Sequence, residues 1–280
     1  MKSKNIKNKT SEASLLYNIK SKYILKYIFE NIKQKKFLEI IRYNKNLQSK
    51  IDMGLVDYKK YLQIEIEIIP LKFKEYFFNT SNIKEEYCHA YINDSNEEIK
   101  KNYFSKNDKV DKIKLILSYE VKSLNGLFSN CKYISKINFL KFNRKDIIDM
   151  SFMFKGCSNL NEINLSNFNT DNVNSMKSMF DGCLDLEEIN LSNFRTNNVT
   201  DMSFMFYNCS KLKEINISNF NIDKLISADC MFYRCKSLSH LNLSSFNNKH
   251  KINMKYMLYD CPEFLTKSIK LQYKIKEEAF

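Results

Sequence analysis

The chain has 280 residues, a formal net charge of +13, 44% hydrophobic residues and 28% charged residues. That is enough apolar content for a sizeable core and argues against global disorder. With 4 Gly, 2 Pro and three isolated histidines (His89, His240, His250), collagen-like and glycine-loop architectures are excluded, no GxGxxG or P-loop phosphate motif occurs, and little is left for histidine catalysis or zinc.

The amino end is the basic part, with 15 Lys/Arg against 5 Asp/Glu over residues 1–60. Such a bias can favour nucleic acid or anionic membrane, but a solvated Lys-rich helical surface accounts for it. Helices are expected over 14–50. Leu15, Leu16, Ile19, Tyr23, Ile24, Tyr27 and Ile28 form one apolar stripe, Phe37, Leu38, Ile41, Leu47 and Ile51 another, and Ser14 suits an N-cap. Residues 1–70 are read as a basic, helical amino-terminal region broken at Pro70, and 71–110 as a small mixed connecting segment. No run of about 18 apolar residues reads as a transmembrane helix, and the polar start MKSKNIKNKTSEAS carries no secretory signal.

The main signal follows. Cys131, Cys157, Cys183, Cys209, Cys235 and Cys261 are spaced 26 residues apart without a slip, and a fixed period of that size marks a repeat protein. Other columns keep step: Phe128, Phe154, Phe180, Phe206 and Phe232 before each Cys, Ile137, Ile163, Ile189, Ile215 and Leu241 after it, and Phe142, Phe168, Phe194, Phe220 and Phe246 beyond. Glu162-Ile163-Asn164-Leu165-Ser166 alternates as a strand does, with Ile163 and Leu165 inward. Val173, Met176, Met179 and Phe180 suit a helical turn, or a second short strand around Val173. The residue before each repeat Cys is Asn130, Gly156, Gly182, Asn208, Arg234 or Asp260. Gly, Asn and Asp tolerate the left-handed conformation, and Arg234 should bring strain or another turn. One such unit cannot bury its apolar face, so stacking is expected, with parallel strands about 4.8 Å apart. The stack should occupy 111–265 in about six coils, opening on a degenerate unit at 111–134 and followed by a strand and tail over 266–280.

Leu191-Ser192-Asn193-Phe194, Asn198-Val199-Thr200-Asp201-Met202, Met205-Phe206 and Cys209 resemble the repeat of the BspA-like leucine-rich repeat proteins, as does the unit from Leu160 to Cys183. The resemblance spans roughly 111–265. It implies an α/β fold: a leucine-rich-repeat-type solenoid with a parallel β-sheet, here preceded by a mainly helical N-terminal region. Many family members look like surface proteins that bind host or matrix proteins, and others are intracellular proteins of protists. Ile24-Leu25-Lys26-Tyr27-Ile28-Phe29 has the look of an F-box, without its Leu-Pro opening.

Two readings compete for each candidate constellation. The Cys column is read as buried reduced thiols rather than disulfides or metal, since CxxC is absent and Cys230 and Cys235 form only C-x4-C. The Met-Phe column is core. The outward strand positions Glu162, Glu188, Glu214 and His240, with Asn164, Asn190, Asn216 and Asn242 beside them, form the candidate partner-binding face. Stacked glutamates repel, and a basic partner would relieve them; solvent screening is the bland alternative. The recurring Asn-x-Ser triplets follow from the strand repeat. No nucleophile–base pair, acid pair or cofactor loop is present, so no enzyme, metal or cofactor is expected. The expectation is a cytoplasmic, monomeric, non-enzymatic scaffold that binds protein rather than nucleic acid. The alternatives are an F-box-like adaptor recruiting a ubiquitin ligase and a cell-surface adhesin.

Overall fold

The computed structural model describes residues 45, 46, 49, 59–71, 76–104, 108–246 and 252–280. The chain divides into two compact units, Met1–Leu62 and Gln63–Phe280. In the first, residues 45, 46, 49 and 59–61 are helical. The expected stripes from Leu15 to Ile41, the Ser14 cap and the F-box-like segment lie outside the described residues.

The second unit begins with a strand. Ile64-Glu65-Ile66-Glu67-Ile68 alternates with period two, and strand β1 (Ile64–Pro70) buries its isoleucines at 64, 66 and 68 completely, with Glu65 and Glu67 on the other face. Four more strands complete its sheet: β2 (Cys88–Ile92), β3 (Ile113–Leu117), β4 (Ile134–Phe142) and β5 (Glu162–Asn164), in the order β2-β3-β1-β4-β5. All pairs are antiparallel except β4–β5. A second sheet holds only β6 (Glu214–Ile215) and β7 (His240–Leu241), which are parallel.

These findings overturn the expected fold class. The described chain is mostly short strands and turns with few helices. Its main sheet is mixed, and Ile64–Pro70 is a strand where a helical region was expected. A parallel-sheet leucine-rich-repeat solenoid does not describe it. One physical reason is local. At Asn164, Asn190, Asn216 and Asn242 the repeat Asn accepts on its Oδ1 the N–H two residues on: Ser166, Ser192 and Ser218 at 3.0 Å, and Ser244 at 2.9 Å. These Asx turns stop the strands after two or three residues. Elsewhere parallel contact shrinks to single bridges, along Asp149, Ser175, Asp201, Ser227 and Asn253 and between Glu188 and Glu214. The expected helical turn around Val173–Phe180 is a series of tight turns, with Val173 N–H on the Thr170 carbonyl and Met179 N–H on that of Met176.

The 26-residue units nonetheless lie one upon another. Phe128, Phe154, Phe180, Phe206 and Phe232 form a column of parallel rings with centroids 5.3–5.6 Å apart. Each Phe N–H donates to the carbonyl of the residue 25 positions later, as from Phe180 to Met205 at 2.8 Å. Each repeat Cys from 157 to 261 donates its thiol to the Phe carbonyl 29 positions earlier, at 3.0–3.2 Å. Asn193 and Asn219 thread the turns together, each Nδ2 reaching two Phe/Leu carbonyls of the preceding unit. Buried backbone groups are thus satisfied across units rather than along a sheet.

The left-handed column before each Cys is present from Asn130 to Asp260, and Arg234 joins it with φ 60° instead of taking another turn. A second left-handed column runs four residues earlier, through Gly126, Phe152, Ser178, Phe204, Cys230 and Tyr256.

Both ends of the stack are closed. At one, β4 is stretched to nine residues and its outer edge is covered by β1, which removes an open strand edge. At the other, helix α1 (Glu263–Gln272) buries Leu265 and Ile269, in place of the expected strand. It leads into a short 3-10 turn, Glu277–Ala279, laid on the last repeat.

Candidate partner-binding face

Charges are arranged by column. Where two neighbouring units place charges side by side, the signs usually alternate: Lys122–Asp146 (2.8 Å), Lys155–Asp181 (2.9 Å), Asp185–Lys211 (2.7 Å), Glu187–Lys213 (2.5 Å) and Arg234–Asp260 (3.5 Å). The Asp149–Ser175–Asp201–Ser227 column sets a neutral residue between its carboxylates. Two residues after its aspartates, Ser151 shares a 2.7 Å hydroxyl contact with Ser175, and Ser203 another of 2.7 Å with Ser227. Alternation of this kind is the low-energy solution for groups about 5 Å apart.

The candidate column breaks the rule, because Glu162, Glu188 and Glu214 occupy the same position in three successive units. In β4–β5, Lys136 sits opposite Glu162 and binds it at 2.6 Å. In β6–β7, Glu214 sits opposite His240, whose Nδ1 lies 2.9 Å from the Ser239 hydroxyl. Between them, Glu188 and Glu214 are bridged directly, like charge beside like charge. Lys213 is engaged by Glu187, and it also feels the field of Glu188. Both glutamates are exposed.

The Asn column is exposed at Asn164, Asn190, Asn216 and Asn242, but its Oδ1 atoms are committed to the Asx turns above. Asn242 also accepts from the Tyr273 hydroxyl at 3.3 Å. Its amide nitrogens and the glutamates remain to meet a partner. The structure therefore brings Glu188, Glu214 and His240 into one row, keeps Glu162 with its own cation, and gives the asparagines a turn-forming job that the bare alternation does not reveal.

Burial drives the thiols of the Cys column upward in pKa: Cys157, Cys183, Cys209 and Cys235 far up, and Cys261 to about 12. All eight cysteines are free, and a protonated, enclosed thiol is neither nucleophile nor metal ligand. Among the described residues no group of His, Cys, Asp and Glu is placed to hold a metal ion. No described helix is long and apolar enough to cross a membrane.

A cleft of about 550 Å³ opens elsewhere, on the polar face of the mixed sheet, lined by Glu67, Tyr91, Asp94, Lys112, Lys114 and Leu140 among others. Its charges are largely paired within the protein, Lys112 with Asp94 and Lys114 with Glu65.

No curated protein and no solved structure matches the chain. A family model described as a Mycoplasma protein of unknown function, DUF285, matches it three times, over residues 98–188, 122–240 and 186–277. These overlapping stretches cover the whole run of 26-residue units, and the chain belongs to this repeat family.

Proposed function

We propose that the protein is a non-enzymatic scaffold whose exposed repeat face, centred on Glu188 and Glu214 and flanked by Asn190, Asn216, His240 and Asn242, binds a basic segment of a partner protein. The observation that supports this reading is the bridged Glu188–Glu214 pair. With Glu162 held by Lys136, it is a bridged like-charge contact in a molecule whose neighbouring charges usually alternate, and a cation between the two would restore alternation there. The likeness of Leu191-Ser192-Asn193-Phe194 and its surroundings to BspA-like repeats, a group with many protein binders, points the same way. The eight free thiols favour a reducing, cytoplasmic setting.

The test is the double variant Glu188→Gln/Glu214→Gln. It touches no core atom, so thermal unfolding should be unchanged or slightly later. Partners captured from the source cells by the parent chain should bind the variant more weakly, chiefly through a slower on-rate. Parent binding should weaken with salt, because exposed charge attraction is screened over about 8 Å at physiological ionic strength. Equal binding by parent and variant at every salt concentration would refute the reading.

A further inference from the structure

Inside the stack, alternate backbone N–H groups of one repeat donate to the next, from Ala228, Cys230, Phe232 and Arg234 in the penultimate repeat. Cys230 N–H binds the Lys255 carbonyl at 2.9 Å, and Phe232 N–H binds that of Met257 at 2.8 Å. In the last repeat the two middle donors of this set, Tyr256 and Leu258, have no further repeat to meet. Leu258 is buried, so its N–H demands an acceptor. The acceptors come from residues beyond α1: Tyr256 N–H binds the Glu278 carbonyl and Leu258 N–H the Ala279 carbonyl, both at 2.7 Å. A short segment thus stands in for a 26-residue unit, held by main-chain bonds that carry no sequence preference.

Side chains supply the preference. Ala279 has no exposed surface, so the seat at that position admits only a small residue. Lys270 of α1 binds the Glu277 carboxylate at 2.6 Å and lies 4.3 Å from the centre of the Phe280 ring, selecting for an acid on one side and an aromatic on the other. Lys276 anchors the approach on the Ile252 carbonyl at 3.1 Å. Within residues 274–280 only Ala279 is buried, while Lys274, Lys276, Glu277 and Glu278 are exposed. When it lifts away, the segment uncovers the Ala279 site, the patches against which Tyr273, Ile275 and Phe280 pack in part, and the Leu258 N–H, all of which an incoming segment must refill.

We propose that this end of the stack is a peptide seat. It is occupied here by the chain's own residues 273–280 and open, when they lift away, to an extended segment of a partner protein with the same order of acidic, small and aromatic residues. Recognition would combine main-chain pairing with one small pocket and one lysine, the logic by which exposed edges capture peptides. The seat touches the Glu188–Glu214 face only where the Tyr273 hydroxyl donates to Asn242 at 3.3 Å, and the proposal stands or falls separately from the two glutamates.

The test uses a fluorescent, amidated peptide of the sequence Tyr273–Phe280 and the full chain carrying Ala279→Lys, which evicts the resident segment and leaves α1 intact. The variant should bind the peptide saturably. The parent should bind it at least about tenfold more weakly, because its tethered segment competes at high effective concentration. A peptide with Lys in place of the alanine should bind neither. If the variant loses its native circular dichroism, a full chain with a protease site inserted after Gln272 is folded and then cut, and the labelled peptide should replace the freed segment. No binding by a natively folded variant, or no exchange in the cut chain, would overturn the proposal. So would a dimer that forms as the parent is concentrated and dissolves on adding peptide, since the seat would then serve a second copy of the chain.

Discussion

The repeat cysteine is a packing and hydrogen-bonding residue whose chemistry is switched off. Phe180 shows why: its carbonyl takes the Cys183 N–H at 3.1 Å and the Cys209 thiol at 3.1 Å, and only a small side chain with a donor fits between the stacked units. Cys209→Ala should therefore cost about 1–3 kcal/mol in urea unfolding, a buried carbonyl losing one of two donors plus a small void. Thiol reagents at pH 8 should leave the native protein almost unlabelled and react with all eight cysteines once it unfolds; fast labelling of the native column would contradict this placement. The sign of the pH effect follows. These thiols have folded pKa values raised by burial, so their contribution is complete below the unfolded value of about 8.5 and fades as pH climbs toward the folded values. Stability should drop in alkali, less steeply in Cys209→Ala. At the acid end, burial pushes the Asp146 carboxyl up, but hydrogen bonds and charge from the buried Arg144 and from Lys122 outweigh it and bring its pKa to about 2. Its contribution is present above about pH 4 and lost as pH falls toward 2; Asp146→Asn should flatten that acid limb.

At the scale of elements, the sequence was legible wherever one residue type recurs every 26 positions. The Phe and Cys columns and the left-handed residue before each Cys recur in each unit, so their burial and backbone conformation follow from the repeat. Single-copy elements were harder. Ile64–Pro70 carries a clear period-two pattern, yet its place as a central strand depends on β3 and β4, which lie far away in sequence. The Glu263–Gln272 helix follows Pro262, and its buried pair Leu265 and Ile269 is too short a stripe to tell from a strand and tail. The asparagines hold a distinction that the repeat alone does not reveal. Asn164 and Asn167 look alike in the sequence, but Asn164 faces outward in an Asx turn, while Asn167 donates to the Phe139 carbonyl at 2.9 Å. In the same two columns, Asn193→Ala should destabilise by about 1–3 kcal/mol, since it strands buried carbonyls, and Asn190→Ala by about 1 kcal/mol or less. Equal losses in a calorimetric comparison would show that the columns have been confused.

At the scale of the molecule, stability is local and cumulative, because each unit is held mainly by its two neighbours. Phe180 stacks on Phe154 and Phe206, with centroids 5.3 Å away on both sides. Phe180→Ala should cost roughly 3–5 kcal/mol, and amide exchange should rise across the adjoining units while β1–β4 remain protected. The caps explain why such a stack can end cleanly: β1 covers one end and residues 277–280 the other. What the ends and the core do not explain is the bridged like-charge Glu188–Glu214 pair in the exposed face, and the functional account rests there. Hydrogen–deuterium exchange of the full chain with and without its captured partner tests that account most directly. It predicts new protection in peptides spanning 187–190 and 213–216, weakened in Glu188→Gln/Glu214→Gln. Protection confined to other parts of the chain, with those two stretches unchanged, would contradict it.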